Sequence, residues 1–91
     1  MIIVSQDKEK IVNFDNVGNI NIEKCYNESL KQEDFTYDIL VYIISGGLVR
    51  LGKYKTEERA KEVLAEIINM YKFNKCEAVG QKNTVYKMPE D

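Results

Sequence analysis

Apolar and polar residues alternate through the first quarter of the chain. Ile2–Ser5 reads as a strand, Gln6-Asp7-Lys8-Glu9 as a polar turn and Lys10–Phe14 as a returning strand, which predicts a hairpin. Asp15-Asn16 breaks the pattern, because both side chains favour capped turns. From Val17 to Lys24 the alternation resumes: Ile20 and Ile22 take one side, and Asn19, Asn21 and Glu23 the other, as in a half-buried strand. Cys25 to Thr36 is polar, with Leu30 and Phe35 as isolated apolar anchors. It reads as a surface loop with room for a short helix over Glu28–Asp34.

Tyr37–Ile44 is apolar on both faces, with Tyr37, Ile39, Val41 and Ile43 on one and Leu40, Tyr42 and Ile44 on the other. Such a strand sits in the middle of a sheet or turns its second face to a partner subunit. Ser45-Gly46-Gly47 supplies a tight turn, since glycine tolerates the positive φ of short hairpin loops. Leu48–Tyr54 returns. Its faces divide into Val49, Leu51 and Lys53 against Leu48, Arg50, Gly52 and Tyr54, and Gly52 inside a strand signals a bulge or a close approach by another group. Thr56 is a good N-cap, and Glu57 and Glu58 suit the first turn of a helix dipole. Ala60, Val63, Leu64, Ile67, Ile68 and Tyr71 then recur at helical spacing, and Glu57 and Lys61 form an i,i+4 pair. The helix is expected to end near Phe73 or Asn74. A loop around Gly80 follows, and Thr84–Met88 reads as a last strand before Pro89. The expected fold is α+β, one domain over residues 1–91. It has five to six strands in a small antiparallel sheet, in the order β-β-β-β-β-α-β, with one amphipathic helix packed on one face.

Composition narrows the chemistry. The chain has 91 residues and contains no histidine, so Ser-His and Cys-His nucleophile pairs are excluded within one chain. Cys25 and Cys76 form no CxxC pair and, without histidine, make a poor zinc site. No catalytic residue, metal ligand or cofactor is assigned, and an enzyme is not expected. A net charge of −2, from 13 basic and 15 acidic residues, argues against general nucleic-acid binding. The longest apolar run, Ile39–Ile44, is far short of a membrane span, and MIIVSQDKEK carries neither a basic leader nor a long apolar core. A cytoplasmic chain with reduced thiols is expected, without membrane association.

Arg50 and Arg59 are the only arginines, and they flank one strand–helix junction with Lys53, Lys55 and Lys61. Two guanidinium groups, nearby lysines and the free amides of a helix N-terminus are the parts of an anion site. The plainer account is a solvated junction whose arginines pair with Glu57, Glu58 or Glu62. Tyrosines such as Tyr54, Tyr71 and Tyr86 offer flat faces for stacking on a base, or simply pack. The carboxylates Glu57, Glu58, Glu62 and Glu66 cap and solubilise the helix.

IVNFDNVGNINIE (residues 11–23) and RLGKYKTEERAKEVLAEI (residues 50–67) resemble small phage and prophage proteins of Gram-positive (Firmicute) bacteria. In that group a β-rich beginning is followed by an "LGxYxTEERAxEVLxEI" stretch. The shared motifs are hairpin, cap and helix face, with no active site to carry over. The resemblance implies a binding protein that antagonises host defence in the bacterial cytoplasm, as an oligomer that sequesters a cyclic or other nucleotide signal. In that reading Arg50, Lys53 and Arg59 neutralise phosphates, and Tyr54, Tyr71 or Tyr86 stacks on a base. The alternatives are an inhibitor of a host defence protein, as anti-CRISPR proteins are, and a small structural or regulatory domain of the phage.

Overall fold

The computed structural model describes residues 1–26, 35–76 and 85–91. Six strands and one helix give an α+β fold. The strands are β1 (Ile2–Val4), β2 (Ile11–Asn13), β3 (Val17–Tyr26), β4 (Phe35–Ile43), β5 (Leu48–Tyr54) and β6 (Val85–Lys87), and the helix is α1 (Glu57–Cys76). The strands form two three-stranded sheets, in the orders β2-β1-β6 and β3-β4-β5. One pairing is parallel, that of β6 with β1. The single antiparallel sheet expected from the hairpin pattern is two, because β2 pairs with β1 and the 3-10 turn over Phe14–Asn16 parts it from β3.

Local chemistry explains most boundaries. In the β1–β2 turn, Asp7 accepts from Ser5 Oγ at 2.5 Å and from the Glu9 amide at 2.9 Å. These bonds, the Ser5 hydroxyl first, hold the Asp7 carboxyl below its ordinary range. Asn13 caps a 3-10 turn over Phe14–Asn16 by accepting from the Asp15 amide, so the break at Asp15-Asn16 is as expected. The β4–β5 turn rests on Gly46 and Gly47, at φ 114° and 111°, where a side chain would be strained. Thr56 Oγ1 accepts from the Arg59 amide at 3.1 Å, the N-cap bond, and Lys61 and Glu57 pair at 3.5 Å.

Some boundaries differ from expectation. Cys25 and Tyr26 continue β3, and Phe35 and Thr36 begin β4, where a loop was expected. Strand pairing holds these polar and isolated aromatic residues in line, and a row of rings supports them. Tyr26, Phe35 and Tyr37 meet edge-on at 5.8 and 5.6 Å, with the Lys24 ammonium 4.1 Å from the Phe35 ring centre. The helix also runs past Phe73 and Asn74 to Cys76, so Asn74 is helical and does not end it. The short helix expected over Glu28–Asp34 and the loop around Gly80 lie outside the described residues.

Both sheets and the helix share one core. Ile3 and Val12 come from the first sheet, Ile39, Val41, Leu51 and Tyr54 from the second, and Ala60, Val63 and Ile67 from one stripe of α1. β4 lies mid-sheet, as its apolar composition requires. The helix covers the Ile39/Val41 face, and the opposite face carries Asp38, Leu40 and Tyr42.

Candidate functional site

The strand–helix junction is where the sequence places a site, and a β-bulge decides its layout. Along β5, Arg50 pairs with Leu40 and Gly52 pairs with Ile39, which leaves Leu51 as an extra residue. One inserted residue reverses the side-chain alternation beyond it. Val49 and Leu51 face the core. After the bulge, Gly52 and Tyr54 face the core as well, and Lys53 faces out. Arg50 and Tyr54 therefore do not share a face, contrary to the alternation read along the strand. Both meanings of Gly52 are realised: it adjoins the bulge, and the Tyr54 ring lies against it so closely that a Cβ would stand 2.9 Å from the hydroxyl.

Tyr54 is only 2% exposed and donates its hydroxyl to the Pro89 carbonyl at 2.8 Å. Burial pushes its hydroxyl up to about 12. A ring so enclosed offers no face to a base. Beside it a cleft of about 420 Å³ is lined by Lys53, Lys55, Thr56, Arg59, Glu90 and Asp91 as well as Tyr54. Arg59 lies at its wall with two of its nitrogens engaged: Nε reaches the Asp91 carbonyl at 2.9 Å, and Nη1 reaches Glu62 at 3.1 Å. The Glu62 pairing anticipated for a solvated junction is thus present. The cleft gathers three cations, but two carboxylate residues line it with them.

Arg50 lies across the sheet from Arg59. Its Nε is 2.7 Å from Oδ2 of Asp38, a carboxylate with no exposed side-chain surface. The N–H direction misses that oxygen, so the contact is an ion pair with no hydrogen bond along it. Thr36 donates to the other carboxylate oxygen at 2.7 Å. Cys25 adjoins this cluster, and burial, then Asp38, pushes its thiol up. Arg50 and Lys53 also line a second, smaller cleft of about 300 Å³ with Gln6, Asp7, Leu51 and Gly52.

The remaining candidates stand apart. Tyr71 packs edge-on against Phe14 at 4.9 Å. Tyr86 donates to Glu66 at 2.5 Å, and burial, reinforced by that carboxylate, raises its hydroxyl well above the ordinary range. Of the six candidates, Lys53, Tyr54 and Arg59 share a cleft, while Arg50, Tyr71 and Tyr86 do not line it.

One feature escaped sequence reasoning, and another was legible in it. Gln6, read as a turn residue, seals the outer edge of β5. Its backbone amide donates to the Leu51 carbonyl, its Oε1 accepts from the Lys53 amide, and its Nε2 lies within 3.1 Å of the Lys53, Pro89 and Glu90 carbonyls. A lone glutamine carries no periodic signal for such a role. The other feature is an apolar patch on the outer face of the larger sheet: Tyr42, Ile44 and Leu48 are 39%, 70% and 53% exposed, beside Gly18. The two-sided apolar pattern of Tyr37–Ile44 did hint at it. Among the described residues, no helix is long and apolar enough to cross a membrane. Compared with protein-family models, curated proteins and solved structures, the chain matches none.

Proposed function

We propose that the chain is a non-enzymatic binding protein that acts by contact with another protein, in the counter-defence setting its resemblance to phage proteins implies. The observation that carries this reading is the exposed patch of Tyr42, Ile44 and Leu48 on a sheet face that the helix leaves bare. Contiguous exposed apolar surface marks interaction sites, and Tyr is a frequent anchor at such sites. The charges around it are balanced: Arg50 and Lys53 stand against Asp38 and Glu23 on the same face. The partner is therefore an apolar, nearly uncharged surface of a host defence protein.

A second reading, sequestration of a nucleotide signal, rests on the cleft that brings Lys53, Lys55 and Arg59 together. It has no stacking partner in Tyr54, whose ring is enclosed.

Plating of phage on a defended bacterial host that expresses the chain separates the two. Contact predicts that wild type restores plating, that a Tyr42→Ser/Leu48→Ser variant does not, and that Lys55→Glu does. Restoration lost only with Lys55→Glu, together with thermal stabilisation by a cyclic nucleotide, assigns the second reading. No restoration by wild type refutes the counter-defence role.

A further inference from the structure

We infer that two copies of this chain join edge to edge through β3, antiparallel about a two-fold axis at Asn21, to form one six-stranded sheet. β3 is ten residues long and pairs with β4 on one side only. Among the described residues, no backbone hydrogen bond reaches its outer edge beyond the Val17 amide, which donates to the Phe14 carbonyl. Edge strands are ordinarily blunted by charge, proline, a bulge or a cover. The opposite edge of the same sheet has a cover, the Gln6 amide on Leu51 and Lys53. On β3 the bulge lies at Gly18 and the charges at Glu23 and Lys24, so the central Asn19–Ile22 carries no such device.

A second copy fits this edge because the strand is complementary to its own reverse. A two-fold axis normal to the sheet keeps each residue on its own face. Centred on Asn21, it sets Ile20 against the partner's Ile22, twice, on the helix side. On the outer side it sets Asn19 against the partner's Glu23, twice, and Asn21 against itself. No like charges meet. Centring on Glu23 would oppose two carboxylates, and centring on Ile22 would oppose Ile20 and Lys24. Such cross-strand pairs are what stabilise and register a sheet. Asn21 adds a reason of its own: its Oδ1 is buried and has no donor in the lone chain. An unpaired buried acceptor is costly. Turned about χ2 in one copy, that oxygen can accept from the other copy's Nδ2 across the axis. The assembly carries both helices on one face and both Tyr42/Ile44/Leu48 patches on the other. It stands or falls independently of what those patches bind.

The test is charge reversal at the axis, read by native mass and sedimentation equilibrium with circular dichroism as the folding control. Wild type is expected at twice the chain's 10.6 kDa. Asn21→Asp and Asn21→Lys, each folded, are expected at the single-chain mass, and their equimolar mixture as a mixed dimer. A monomeric wild type overturns the inference, whether or not the edge then takes an extended peptide. Dimers that survive both substitutions place the interface elsewhere and overturn it too. A dimer kept by Asn21→Lys but lost by Asn21→Asp, as expected if residue 21 faces the partner's Glu23, overturns the Asn21-centred axis.

Discussion

Gly52→Ala is a single-methyl test of how the junction is packed. Alanine is a better strand residue than glycine, and it lowers unfolded-state entropy enough to stabilise by about 0.4–1 kcal/mol where the backbone allows it. Gly52 does not have a positive φ, so its backbone allows it. On local grounds the substitution should therefore stabilise. The packing dictates the opposite. The new Cβ would lie 2.9, 3.0 and 3.2 Å from Oη, Cε2 and Cζ of Tyr54. That ring cannot swing away, because it is rigid, almost wholly buried and tied to the Pro89 carbonyl at 2.8 Å. Forcing one methyl into a filled core costs about 1–3 kcal/mol, and a lost hydroxyl bond adds about 1 kcal/mol. Set against the entropic gain, the expected net loss is about 1–3 kcal/mol, or roughly 10 °C in Tm for a domain of this size. Thermal and urea unfolding measure it in wild type, Gly52→Ala, Tyr54→Leu and the double variant. If the clash is the cause, the alanine must cost much less in the Tyr54→Leu background than in wild type, a coupling that the double-mutant cycle isolates. A neutral or stabilising Gly52→Ala, or an equal cost in both backgrounds, would refute the reasoning.

Alkaline unfolding should report the same tyrosine. Its hydroxyl is held up to about 12 in the fold and returns to about 10 when unfolded, so the unfolded chain loses its proton first. The stabilisation is complete below pH 10 and is lost as pH rises toward 12. Tyr54→Phe should flatten that part of the stability–pH curve, and an unchanged slope would count against the assignment. Arg50→Ala should destabilise by about 1–3 kcal/mol, because it strands the buried Asp38 carboxylate. The half-exposed guanidinium itself adds little. Asp38→Asn in the same chain should restore most of the loss in urea unfolding, and no recovery would show that the pair is not the cause.

Local chemistry was legible in the sequence, and reversals of it were not. The Ser45–Gly47 turn, the β5 bounds Leu48–Tyr54 and the Thr56 cap were all readable, because each depends on a few adjacent residues. Gly52 was flagged as a bulge or a close contact, and it is both. What could not be read was the consequence: periodicity assumes an unbroken alternation, and one extra residue at Leu51 moved Tyr54 from the face of Arg50 into the core. The parallel pairing of β6 with β1 was hidden for a different reason. It joins the two ends of the described chain, and neither segment carries a mark of its partner. The continuation of β3 through Cys25 and Tyr26 likewise depends on Phe35 and Thr36 across the ladder, not on its own pattern. The candidate site suffered most, since Arg50 and Tyr54 were read on one strand face, and the bulge puts them on opposite faces.

The same bulge bears on which surfaces remain open for binding. It leaves Arg50 on the outer face, where the buried Asp38 engages it, and brings Tyr54 inside, where its hydroxyl holds Pro89. The segment after Pro89 then presents the Asp91 carbonyl to Arg59, and Glu62 takes another of its donors. Both arginines thus hold carboxylate partners within the chain, and a ligand phosphate would have to share them with Asp38 and Glu62. No comparable internal partner covers Tyr42, Ile44 and Leu48, and none pairs the outer edge of β3 among the described residues. Free energy for association comes from groups whose needs the monomer leaves unmet. In this chain those groups are apolar side chains and strand amides, not cations. That asymmetry, more than any motif, favours contact with a protein surface over capture of an anion.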